Sequence, residues 1–157
     1  MKISLLMIGK TNQENLGKLI QDYHQRLSHY ITFEMIVVPE LKNIKNIPVA
    51  EQKEKEAEFL LKQLDVSDEI VLLDENGKLL SSVGFAEFLE KRMLTSTKRI
   101  VFVIGGPFGF SQRMYQRANF LLSLSPMTFS HQMIRLLFTE QLYRAMTIIR
   151  GENYHHQ

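Results

Sequence analysis

Two stretches of this chain mix glycine, hydroxyls and large apolar side chains in a way that could hold a ligand. The first is Gly105-Gly106-Pro107-Phe108-Gly109. Glycine has no Cβ, so its backbone can approach a bound molecule closely. This GGPFG run is neither GxGxxG nor a phosphate-binding P-loop, because the Lys-Ser/Thr of the latter is missing. A glycine turn after a strand is, by itself, more often structural. The second stretch is Leu122–His131, LSLSPMTFSH. A simple connector would be polar, so this segment is expected to be buried, with its backbone groups satisfied by something specific. An adenine or a thioether would suit its mixture. A core-packed loop leading into a helix capped by Ser130 accounts for the same residues.

The titratable residues say less alone. His131 stands at a predicted helix start, and His155 and His156 lie in a polar tail; no HxxxH or HExxH spacing joins them, so no metal is expected. Glu140 and Arg144 have the i,i+4 spacing of a helical ion pair. No Ser-His-Asp or Cys-His order stands out. The chain has no cysteine, which excludes disulfides, thiolate catalysis and cysteine zinc sites, and makes a reducing cytosol the natural setting.

These residues must be carried by a framework that the pattern describes as alternating strands and helices. Strands are expected at Lys2–Ile8, Ile31–Val38, Glu69–Leu73, Arg99–Ile104 and Asn119–Leu124. Helices are expected at Asn12–His29, Val49–Leu64, Ser81–Leu94, Ser111–Arg117 and His131–Arg150. Ser81 or Ser82 caps the third and Ser111 the fourth. Leu41–Pro48 reads as a loop, and Glu75-Asn76-Gly77-Lys78 as a turn. The front half of the second helix, EQKEKE, is so polar that one face must be solvated. EIVLL and RIVFVI are apolar on both sides, as central strands of a covered parallel sheet are. The reading is one α/β domain over 1–157, a mostly parallel sheet with helices on both faces. No apolar run approaches the roughly 18 residues of a membrane helix, and MKISLLMIGK is too short for a signal peptide and reads as a strand.

Charge is uneven. Residues 1–97 carry a net −3 and residues 98–157 a net +5, and six of the seven cations in the latter are arginine. Arginine suits planar phosphate contacts, so Arg113, Arg117 and Arg135 are candidate RNA contacts, with a solvated surface as the alternative. The last helix is apolar nearly all round, from Met133 to Ile149. One face can meet the sheet while another meets a second copy, so a homodimer is expected.

The ordered set IVLLD, IVFVIGGPFG, LSLSPMTFSHQMIRLLFTEQLYRA and RGENYH resembles the RlmH family, the minimalist branch of the SPOUT methyltransferases, along the whole chain. The resemblance implies a C-terminal trefoil knot over about 98–157 and a homodimer packed through it. It implies methylation, with S-adenosylmethionine as cofactor, of N3 of a pseudouridine in helix 69 of 23S rRNA on the assembled ribosome. Carried onto this chain, the cofactor residues are Leu73, Gly105, Leu124, Ser125, Pro126, Met127, Thr128 and Phe129. Arg144, His155, Tyr154 and His131 match positions near the reacting base, and the partner's tail would complete each site. The chain departs from the family at Ser130, where many members have Pro, at Pro126, where Lys or Ala is common, and at His156, where Arg or Lys is frequent.

Two other classes fit parts of the sequence. A dinucleotide-binding enzyme would need a glycine loop after the first strand and an acid about 20 residues on, and MIGKTNQENLG lacks that fingerprint. A non-catalytic ribosome- or RNA-binding α/β module fits the charge split and would need no small-molecule pocket.

Overall fold

The computed structural model describes residues 1–156. It runs β1 (Lys2–Ile8), α1 (Glu14–Leu27), β2 (Thr32–Val38), α2 (Val49–Leu61), β3 (Glu69–Leu79), α3 (Ser82–Leu94), β4 (Arg99–Ile104), α4 (Gln112–Arg117), β5 (Phe120–Ser123) and α5 (Met133–Ile149). The five strands form one parallel sheet in the order β2-β1-β4-β3-β5.

Side chains alternate across a strand, and the core divides accordingly. Ile100, Phe102 and Ile104 of β4 point to one face, with Phe85 and Leu89 of α3 and Phe138 and Leu142 of α5. Val101 and Val103 point to the other, with Ala57 and Leu60 of α2 and Met114 of α4. Helices α1, α3 and α5 therefore cover one face and α2 and α4 the second. This is the architecture expected from the continuous apolar runs of β3 and β4. None of the described helices is long and apolar enough to cross a membrane.

Two local expectations change. The predicted turn at Glu75–Lys78 is a bulge inside β3. Leu73 pairs with Leu122, the register shifts, and Lys78 and Leu79 then pair with Leu122 and Ser123. Asp74 Oδ1 accepts from the Asn76 amide within the bulge at 2.8 Å, which is why the segment looks like a turn in sequence. Ser81 caps α3, accepting from the Gly84 amide at 3.0 Å, but Ser111 makes no such bond to α4 and its buried hydroxyl is unpartnered among the described residues. In the polar half of α2 one face is solvated as expected, with Glu51 and Lys55 exposed, while Gln52 and Glu56 are buried on the other.

Candidate functional site

The carboxyl ends of β3, β4 and β5 surround a cleft of about 600 Å³, a size suited to a small molecule. Leu73 and Asp74 form its wall from β3, Gly105 to Phe110 its floor after β4, and the loop after β5 its far side. The glycine turn is tight. Gly109 has φ +83°, a conformation side chains rarely adopt, and its amide donates to the Gly106 carbonyl at 3.1 Å. A Cβ on Gly105 would lie 3.1 Å from the Phe110 ring, so glycine there lets the ring fold beneath the floor.

The loop 124–130 satisfies itself through its hydroxyls. Ser123 Oγ donates to the Ser125 carbonyl at 2.9 Å, Ser125 Oγ accepts from the Met127 amide at 2.9 Å, and Ser130 Oγ accepts from the Met133 amide at 3.1 Å. Thr128 Oγ1 donates to Glu75 Oε2 at 2.5 Å, tying the loop to the β3 bulge. The expectation that the segment Leu122–His131 is buried is met only at its start, where Leu122 and Ser123 are buried. Met127 is 74% and Phe129 41% exposed, so two large apolar side chains stand open at the cleft mouth. On the opposite wall Tyr115 donates to Asp74, and burial together with that carboxylate pushes the phenol up to about 12.

Leu73, Gly105, Leu124, Ser125, Met127, Thr128, Phe129 and His131 all line this cleft; Pro126 does not. Arg144, Tyr154 and His155 form a second cluster instead. Arg144 donates to Glu140 Oε1 through Nη2 at 2.6 Å and Nε at 3.1 Å, and this bond raises its pKa. Its Nη1 lies 3.2 Å from His155 Nδ1. A guanidinium can only donate, so Nδ1 accepts and the ring carries its proton on Nε2. Tyr154 OH donates to Glu140 at 3.1 Å and lies 3.4 Å from Tyr23 OH. Burial first, then Tyr23 and Glu140, push the Tyr154 phenol well above its ordinary value, so it is a neutral donor. Ten residues of α5 separate Arg144 from Ile134, which lines the cleft, so within one chain the two clusters are about 15 Å apart along the helix.

The candidate RNA contacts fare differently. Arg135 is 1% exposed and its donors reach the Ile8 carbonyl at 2.7 Å, Thr11 Oγ1 and the His131 carbonyl, so it is a structural tie and is not placed to meet phosphate. Arg117 donates to the Asp65 and Asp68 carbonyls, at the amino end of β3 and away from the cleft. Arg113 is half-exposed beside Glu54, donating to Glu54 Oε2 through Nη1 at 3.5 Å, with no other side-chain hydrogen bond among the described residues.

Sequence reasoning missed Glu56. It is 5% exposed, Oε1 has no partner among the described residues, and a Cβ on Gly106 would fall 2.2 Å from Oε2. Burial raises its pKa, with Gln52 working the other way. Its favourable contribution is therefore complete below the ordinary carboxylate pKa and is lost as pH rises towards the raised folded value. Urea denaturation at about pH 5 and about pH 8 should show wild type losing stability relative to Glu56→Gln at the higher pH; equal changes in both proteins would remove Glu56 as the cause. Among the described residues no group of three or more metal-ligating side chains converges.

The family profile described as "Predicted SPOUT methyltransferase" matches residues 1–155. The chain is 55% identical to Ribosomal RNA large subunit methyltransferase H of Flavobacterium johnsoniae and 56% identical to that of Parabacteroides distasonis, each over 157 residues and all of both chains. Among solved structures, a probable methyltransferase from Bordetella pertussis superposes with a TM-score of 0.58 at 11% identity, covering 92% of this chain and 96% of that one. A probable methylase family protein from Haemophilus influenzae gives 0.53 at 14% identity, covering 95% and 66%. At such identities the two structures speak for the fold alone.

Proposed function

The chain belongs to the SPOUT methyltransferase family, and from that premise we propose that it methylates N3 of a pseudouridine in helix 69 of 23S rRNA, using S-adenosylmethionine, as a cytosolic homodimer acting on assembled ribosomes. Methylation of large-subunit ribosomal RNA is what its full-length relatives are named for. The observation that carries the reading is the cleft, which gathers seven of the eight expected cofactor residues at the strand ends. Its apolar Leu73, Leu124, Met127 and Phe129 suit a thioether and an adenine face, its hydroxyls suit polar edges, and glycine at 105 and 106 leaves the floor bare. The cofactor supplies an electrophilic methyl group on a sulfonium.

The reading also includes the C-terminal knot. It is supported by β5 pairing outside β3, which carries the chain from β4 back past β3 before α5 returns across the sheet. The homodimer is supported by the exposed Met127, Phe129 and Met133 and by the distance between the two clusters, which a second copy's tail would close.

The residues of the second cluster then have definite tasks. An imide nitrogen must lose its proton before it attacks. Arg144 would stabilise the resulting anion electrostatically. A substrate oxygen that draws Nη1 away from His155 also releases Nδ1, which becomes free to accept the proton. Tyr154 remains protonated and orients through its hydroxyl.

Calorimetric titration with S-adenosylmethionine and, separately, NAD tests the first half of this reading; the first alone should bind, at one site per chain. Ribosomes lacking the modification should then gain one methyl group. Binding of neither compound would favour an RNA-binding module without catalysis.

A further inference from the structure

We propose that Tyr30 and Glu152 are positioning residues that hold the C-terminal tail, and with it Tyr154 and His155, in the orientation methyl transfer needs; this rests on the function proposed above. The tail leaves α5 through Gly151 at φ +70°. The Gly151 amide donates to the Ile148 carbonyl at 3.0 Å and the Glu152 amide to the Thr147 carbonyl at 2.9 Å, turning the chain back over the helix end. Those bonds fix only the root. Residues 153–156 form neither helix nor strand, so their direction is set by side chains.

Glu140, Tyr23 and Arg144 hold Tyr154 and His155 directly, and the α1–β2 turn supplies the contacts at the start of the tail. Tyr30 OH donates to Glu152 Oε2 at 2.6 Å. The Arg150 guanidinium lies 4.5 Å from the centre of the Tyr30 ring and donates to the His29 carbonyl at 3.2 Å. The Tyr30 ring meets Tyr143 edge-on at 5.8 Å, and Tyr143 meets Tyr154 at 4.7 Å. Glu152 pushes the Tyr30 phenol up to about 12, so it remains a donor throughout the neutral range. One continuous set of contacts therefore runs from the α1–β2 turn to the ring of Tyr154.

Glu152 is exposed, and a hydrogen bond to an exposed carboxylate contributes little to overall stability. Its value lies in orientation, because a displacement of about 1 Å near reacting atoms can cost up to about a hundredfold in rate.

The test compares Tyr30→Phe, Glu152→Gln and the double variant. Tyr30→Phe keeps the ring under Arg150 and removes only the donor. Each single variant should lose about five- to tenfold in kcat on ribosomes, and the double no more than either single, since both act through one contact. Cofactor affinity and Tm should stay at wild-type values, while NMR resonances of Tyr154 and His155 shift. Wild-type kcat in either single variant, additive losses, or a loss that tracks a lowered Tm would overturn the proposal. A wild-type protein that transfers no methyl group would sink the function reading instead. The NMR comparison would still decide the positioning role, with unchanged Tyr154 and His155 resonances in Tyr30→Phe counting against it.

Discussion

Arg144→Ala is expected to slow methyl transfer by roughly a hundred- to a thousandfold, the usual loss when a charge-stabilising donor is removed from a reacting anion. Cofactor affinity should not change, because Arg144 is absent from the cleft lining and lies ten residues along α5 from the nearest cleft residue on that helix. The separation makes the experiment diagnostic. A residue of the cofactor pocket would move both quantities, whereas Arg144 should move only the chemical step. Arg144→Lys should rescue little. A lysine keeps the charge but not the fork that donates to Glu140 through two nitrogens and to His155 through a third. Wild-type turnover in Arg144→Ala with normal cofactor binding would refute the assignment.

Gly77→Ala should be the most damaging small substitution near the cleft. Its Cβ would lie 2.6 Å from the Leu121 carbonyl carbon, 2.7 Å from that oxygen and 2.8 Å from the Leu122 nitrogen. These are backbone atoms of β5, so no side chain can step aside; the strands must part. Overpacking of this kind costs about 3 kcal/mol, which for a chain of this length is roughly 6–12 °C in Tm. Cofactor binding should weaken as well, because parting β3 from β5 moves Leu73 and Leu124 on opposite walls of the cleft. Gly17→Ala is the control. It lies in α1 with nothing within 4 Å of the added methyl group, and should leave Tm unchanged or raise it. Equal melting temperatures for Gly77→Ala and wild type would show that the bulge relaxes without cost.

The framework was largely legible in the sequence because its signals are local. RIVFVI has no polar residue to place on a wet face after its first, and it became a central strand. What escaped depends on distant partners. The bulge in β3 looks like a turn since Asp74, Asn76 and Gly77 are turn formers, and only β5, arriving some 45 residues later, makes it a strand again. Glu56 sits in a run of acids and lysines, and nothing local separates it from Glu54 or Glu58; it is buried, and packs against Gly106, 50 residues on. Arg135 misled for a similar reason, as its partners Ile8 and Thr11 are over 120 residues away. For the site, the GGPFG turn and the LSLSPMTFSH loop were visible as odd composition, and they do share one cleft. The role of Tyr30 was invisible, since a lone tyrosine before a strand carries no signal of what its hydroxyl meets.

The strand order has a consequence for how the protein is made. β1 leaves the ribosome before the other strands of its sheet, yet it is an inner strand, with β2 on one edge and β4 on the other. Its second edge waits for Lys2 to find Arg99 and Leu6 to find Val103. At about 5–20 residues per second, translation alone imposes a delay of roughly 5–20 s. During that time KISLLMI presents one unpaired, apolar edge. The nascent chain should therefore be most prone to aggregate, and most dependent on chaperones, before residues 99–104 emerge, and ribosome-bound chains halted on either side of that point should differ sharply in protease resistance.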